Sequence, residues 1–182
     1  MIFFGFFLCP TGIFAQTLSL SGNWKIHPGD NPGWKADTVD DRNWQTTYVP
    51  AAWETTVLPG YDGFAWYRST FEIPDAWKKE DFILNIGAID DADETYLNGT
   101  LVGRTGKFPP EEQSAWDTPR RYLFPAGLLK KQNTLAIRVY DGAGGGGLYL
   151  APVELMPRKQ YEKMQRTQRK KGRTYHQLTT SN

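Results

Sequence analysis

The chemistry this chain could perform is narrowed first by its nucleophiles and metal ligands. It has five serines, two histidines and one cysteine. A serine nucleophile needs a base and an oxyanion turn, yet Ser19, Ser21, Ser69, Ser114 and Ser181 lie in no Gly-x-Ser-x-Gly elbow. Cys9 has no partner for a disulfide or a cysteine zinc site, and His27 and His176 stand at opposite ends of the chain. Acyl transfer and His-cluster metal hydrolysis both lose their core residues. The loop Gly142-Ala143-Gly144-Gly145-Gly146-Gly147 lacks the Lys-Ser/Thr pair of a phosphate cradle, so its glycines point to flexibility or to close backbone approach to a ligand. Asp90, Asp91, Asp93 and Glu94 form an acidic run that admits calcium, paired carboxylates, or turn capping and surface charge. Its spacing is not that of an EF-hand loop, so no cofactor or metal is expected, with calcium the one ion kept open.

Sugar recognition is the chemistry that the composition favours. Trp and Tyr faces pack on the apolar C–H face of a sugar, while Asp, Asn and Arg bond its hydroxyls. The chain has 7 Trp and 9 Tyr, although core packing competes for every one of them. The candidate set is Tyr61 and Asp62, Trp116 and Asp117 with Arg120, and Asp141 opening the glycine loop. These belong to loops that converge at one end of a sandwich, where Asp141 is expected to be exposed. The competing reading has Trp116 covering the core edge and Arg120 paired with an acidic neighbour.

Positioning these loops falls to strands. Short runs of β-type composition, separated by Gly, Pro, Asn and Asp clusters, predict strands at 22–27, 63–73, 81–86, 94–97, 101–104, 122–124, 134–140 and 148–155. Phe82-Ile83-Leu84-Asn85-Ile86 and Leu135-Ala136-Ile137-Arg138-Val139-Tyr140 alternate as strands with one face in a core. Asn98-Gly99 is the preferred dipeptide of a two-residue hairpin turn, whose central residues both need positive φ. The fold class that follows is an all-β sandwich.

Charge divides the chain further. Residues 17–157 hold 13 Lys and Arg against 19 Asp and Glu, whereas residues 158–182 hold 8 against 1. The first 15 residues, uncharged and apolar, read as a secretory signal cleaved after Ala15, too short to span a membrane. The organisation is therefore a signal at 1–15, a sandwich at 16–157 and a disordered or helical basic tail at 158–182. The location is secreted or periplasmic, with no stable membrane anchor and no nucleic-acid partner.

A family resemblance rests on Gly22-Asn23-Trp24, Asp41-Arg42-Asn43-Trp44, Val49-Pro50 to Trp53-Glu54, and Trp66-Tyr67-Arg68 before Phe71. It continues through Ile89 to Gly99 with Val102-Gly103, and through Gly127 to Val139. In this order the chain resembles the N-terminal sugar-binding domain of glycoside hydrolase family 2 enzymes over about residues 18–156. Ser114 to Arg120 and the glycine loop look closest to the copy of this module in bacterial sialate O-acetylesterases. The resemblance implies a galactose-binding-like jelly roll. It implies too that catalytic groups lie on a separate domain, and that Asp141-Gly142 is the counterpart of the Asp-Gly pair that in β-galactosidases reaches the active site.

The functional expectation is a non-catalytic, carbohydrate-associated module accessory to glycan hydrolysis, partnered by a glycan or a glycan-hydrolase catalytic domain. Two alternatives accompany it. One is the detached N-terminal part of a β-galactosidase-like glycosidase or an acetylesterase; the other is a structural buttress that binds no sugar.

Overall fold

The structure is a computed structural model that describes residues 17–74, 77 and 80–179, with side chains to Lys171. The expected signal segment, with Cys9 and the Ala15-Gln16 junction, lies outside the described residues. Among the described residues, ten strands form two antiparallel sheets: β1 (Leu18–Ser19), β2 (Gly22–Pro28), β3 (Gln45–Val49), β4 (Gly63–Glu72), β5 (Phe82–Ile89), β6 (Ala92–Leu97), β7 (Thr100–Thr105), β8 (Arg120–Phe124), β9 (Gln132–Asp141) and β10 (Leu148–Pro157). One sheet runs β1-β10-β5-β8 and the other β3-β2-β4-β9-β6-β7. This is the expected jelly-roll sandwich.

The core between the sheets comes from strand alternation. Ala65 and Tyr67 of β4, Ile137 and Val139 of β9, and Leu84 and Ile86 of β5 pack with Trp24 and Trp53 in one buried cluster. The opposite side of β4 is covered as well: Trp66 joins Trp44, Tyr96 and Ala136 in a second cluster under Trp34. Arg68 ties that cover down, donating from Nε to Asp41 Oδ2 at 2.9 Å and from Nη1 to the carbonyls of Trp34 and Ala36 at 2.6 and 3.0 Å. Double-sided burial explains why Ala65 to Arg68 are all buried in sequence. The four early tryptophans thus divide, Trp24 and Trp53 facing the sheets' shared core and Trp34 and Trp44 the outer cover.

The Asn98-Gly99 turn joins β6 to β7 as expected, with φ of 50° and 81°. The remaining differences have physical causes. β3 is absent from the expected strands because Gln-Thr-Thr-Tyr-Val carries only two inward positions, Thr47 and Val49. The two-residue β1 is too short to show a period. Residues Arg158–Thr179 form a helix, α1, which contacts β10 and β5. Its first turns are anchored by Arg158 N–H on Asp81 O at 2.8 Å, Lys159 on Glu80 at 3.3 Å, and Gln160 on Thr17 at 2.8 Å. No helix among the described residues is long and apolar enough to cross a membrane.

Candidate functional site at the acidic loop end

Four chain segments meet where β9 hands over to β10. Trp53 N donates to Gly146 O at 3.0 Å, Gly146 N to Glu54 Oε1 at 2.9 Å, and Trp53 Nε1 to Tyr61 O at 3.1 Å. Asp90 N donates to Gly147 O at 3.0 Å, and Gly142 N to Asp91 Oδ2 at 2.8 Å. These bonds close the glycine loop onto the Trp53-Glu54 turn and onto the β5–β6 connection. Two glycines are required by that closeness. A Cβ on Gly146 would lie 2.2 Å from Trp53 Cζ2 and 2.6 Å from Asp141 Oδ2, and one on Gly147 would lie 2.4 Å from the Tyr67 hydroxyl. The close approach expected from the sequence is therefore, at these two positions, an approach to the protein's own side chains.

Carboxylates crowd this end. Asp141 is fully buried, which corrects the expectation of an exposed loop residue: the loop folds back over it, and its Oδ1 accepts from Ala143 N at 2.9 Å. Asp90 is also buried and Asp91 half-buried, and one carboxylate oxygen from each of Asp90, Asp91 and Asp141 lies within 4.8 Å of the other two. The Oδ2 atoms of Asp90 and Asp141, and Oε2 of Glu54, are buried without a hydrogen-bond partner. Burial, and then the adjoining Asp141, push the Asp90 carboxyl up to about 7. Burial raises Asp141 as well.

The six sequence candidates separate into three groups. Tyr61 is half-buried and its hydroxyl donates to Phe64 O at 2.7 Å, beside the exposed Asp62. Trp116, 57% exposed, and Asp117 project from the turn before β8. The Trp116 carbonyl accepts from the Tyr149 hydroxyl, which ties that turn to β10. Arg120 is fully buried beneath this turn: Nη1 donates to Ala115 O and Thr118 O at 2.6 and 2.5 Å, and Nε to Asp93 Oδ1 at 2.9 Å. Its guanidinium thus holds the Trp116 turn from below.

Sequence reasoning missed Glu54 as part of this end, and it left the acidic run open between calcium, paired carboxylates, and turn capping or surface charge. Asp90 and Asp93 are buried, so turn capping or surface charge does not describe them. The usable signal was the position of Asp90-Asp91 between two apolar strands. A separate cleft of about 510 Å³ lies along β6 and β7, lined in part by Glu94, Arg104, Lys107, Phe108 and Glu111, and contains none of the six candidates.

No family model matches the chain, and no curated protein sequence matches it. Solved structures do match. A β-glucuronidase from Bacteroides uniformis is 26% identical with a TM-score of 0.65, over 78% of this chain and 18% of that one. A β-glycosidase from Bacteroides vulgatus is 22% identical with a TM-score of 0.62, over 78% and 20%. A β-glucuronidase from an uncultured Clostridium sp. is 20% identical with a TM-score of 0.64, over 83% and 31%. The chain spans about a fifth to a third of the length of these enzymes. The motif resemblance and the structural likeness agree: the body of this chain is a β-sandwich of the kind that forms the N-terminal domain of glycoside hydrolase family 2 enzymes.

Proposed function

We propose that this chain is the non-catalytic, carbohydrate-associated sandwich of a glycan-hydrolysing system and that the loop end around Asp141 faces the sugar site of a catalytic domain. The observation that carries this reading is the likeness to the B. uniformis β-glucuronidase, which covers most of this chain but under a fifth of that enzyme. The location we propose is secreted or periplasmic, from the apolar start of the sequence. In this arrangement the exposed Trp116 supplies an apolar platform, Asp62 and Asp117 accept from sugar hydroxyls, and Asp141 lies beneath the glycine loop at the rim of the joined site. Reaction chemistry belongs to the partner domain, a glycosidase or an acetylesterase, because the described residues offer no serine elbow and no pair of histidines.

A structural buttress is the second reading, favoured by the full burial of Arg120 and Asp141 inside the lone sandwich. One pair of measurements separates the two. The purified chain should leave chromogenic glycosides and acetyl esters untouched while giving weak, saturable binding on a glycan array that Trp116→Ala removes. An empty array together with a co-purifying hydrolase would favour the buttress, and turnover by the isolated chain would overturn both readings.

A further inference from the structure

We infer that Asp90, Asp91 and Asp141 form a binding site for a hard divalent cation of calcium size, built within the sandwich itself. The inference does not depend on a sugar reaching this face. One oxygen from each carboxylate lies within 4.8 Å of the other two. Oxygens ligating one calcium ion at 2.3–2.6 Å are separated by at most about 4.6–5.2 Å, whereas magnesium draws them to about 4.2 Å or less. The trio is thus within reach of one hard divalent cation, and calcium, whose shell tolerates irregular geometry better than magnesium's, is the ion to test.

Proximity of acidic groups alone would not carry this, and the burial of the group does. Asp141 is fully buried and Asp90 is 8% exposed, and each keeps an Oδ2 atom that meets no donor. Buried carboxylate oxygens are ordinarily bonded or neutralised, because leaving a buried charge unpaired is costly. Among the described residues, no Lys or Arg forms an ion pair with any of the three. The nearby charges that bear on Asp141 include Asp62 and Glu54, which add to the negative potential. A divalent ion supplies the missing positive charge, and the half-buried Asp91 leaves a path for it and for the waters that complete its shell.

The geometry around the trio is fixed by backbone rather than by long side chains. Gly142 N–H holds Asp91 Oδ2, Ala143 N–H holds Asp141 Oδ1, and the β5–β6 connection is held by Asp90 N–H on Gly147 O. Asp91 itself sits at φ +29°, a left-handed position that Asp tolerates better than most residues. The carboxylates are thus held close to one another with no Lys or Arg among the described residues ion-paired to any of them, as a hard cation requires.

The test is calorimetric titration of the chelator-stripped full chain with calcium chloride, paired with thermal unfolding. The expected result is one calcium per chain, a dissociation constant at or below about 1 mM, and a melting temperature several degrees higher with calcium than with chelator. Asp90→Asn and Asp91→Asn should each weaken binding about tenfold or more, while Asp117→Asn should not. Asp91 is half-buried, so its Asn variant remains a folded test even where Asp90→Asn does not. Absence of saturable heat and of any shift up to about 5 mM calcium would overturn the inference. So would undiminished binding in both variants. A melting temperature indifferent to calcium but rising on acidification from pH 8 to 6 would also overturn it, assigning the Asp90 and Asp141 carboxyls to a shared proton.

Discussion

Asp93 and Asp141 are both fully buried aspartates, on adjacent strands of one sheet, and they live in opposite electrostatic circumstances. Asp93 is surrounded: Arg120 Nε reaches Oδ1 at 2.9 Å, the Tyr122 hydroxyl reaches Oδ2 at 2.8 Å, and Thr95 Oγ1 reaches Oδ2 at 2.9 Å. Burial pushes its carboxyl upward, and those three donors pull the other way. Asp141 has one backbone donor, a bare Oδ2 and two acidic neighbours. The contrast teaches that burial of a charged residue does not reveal its purpose. A carboxylate whose partners are all internal holds the fold, and one left short of partners is available to something outside it.

The comparison breaks most visibly at the satisfied member. Arg120→Ala leaves Asp93 as an uncompensated buried charge and should cost about 3–5 kcal/mol in urea unfolding. Removing both residues together should cost less than the sum of the two single losses, because no charge is then orphaned. A loss below about 1 kcal/mol for Arg120→Ala would mean that this pair is not the internal clamp described.

The loop that covers Asp141 comes next. Gly146→Ala places a Cβ 2.2 Å from Trp53 and 2.6 Å from Asp141 Oδ2, so Trp53 or the loop must shift, at about 1–3 kcal/mol. Limited proteolysis should then cut near residue 146. Smaller still, and of opposite sign, is Asp90→Asn. In the presence of chelator it relieves repulsion from Asp141 and Asp91 and should raise the melting temperature by about 2–4 °C. The same change at Asp93 lowers it. At the bottom of the scale, Asp62→Asn and Asp117→Asn, both exposed, should leave stability within about 0.5 kcal/mol.

These expectations also show which parts of the molecule are legible in its sequence. The β6–β7 hairpin is, because Asn98-Gly99 supplies both positive-φ residues locally. The eight anticipated strands are, because their alternation is a local property, and the family motifs Gly22-Asn23-Trp24 and Trp66-Tyr67-Arg68 mark core and cover. β3 escapes because pairing with β2, from Gly22↔Val49 to Ile26↔Gln45, makes it a strand, and its own residues are mostly polar. The site escapes for a similar reason. Asp141 Oδ2 lies beside Gly146, and the loop that carries Gly146 is closed against Trp53, almost ninety residues away in the chain. Whether an aspartate in the 90–94 run meets Arg120 or another carboxylate depends on contacts across the sandwich, which no spacing within the run encodes.

The claim that most needs testing is that the unsatisfied acidic end serves a catalytic partner. Residues 17–157 can be grafted in place of the matching sandwich of the B. uniformis β-glucuronidase, and kcat/KM compared between the graft and its Asp141→Asn form. With chelator present, the account predicts a loss of about 10- to 100-fold, as for a hydrogen bond involving a charged group, with the melting temperature unchanged or higher. An Asp141→Asn graft that keeps full activity while losing stability would contradict it, making Asp141 a structural residue like Asp93.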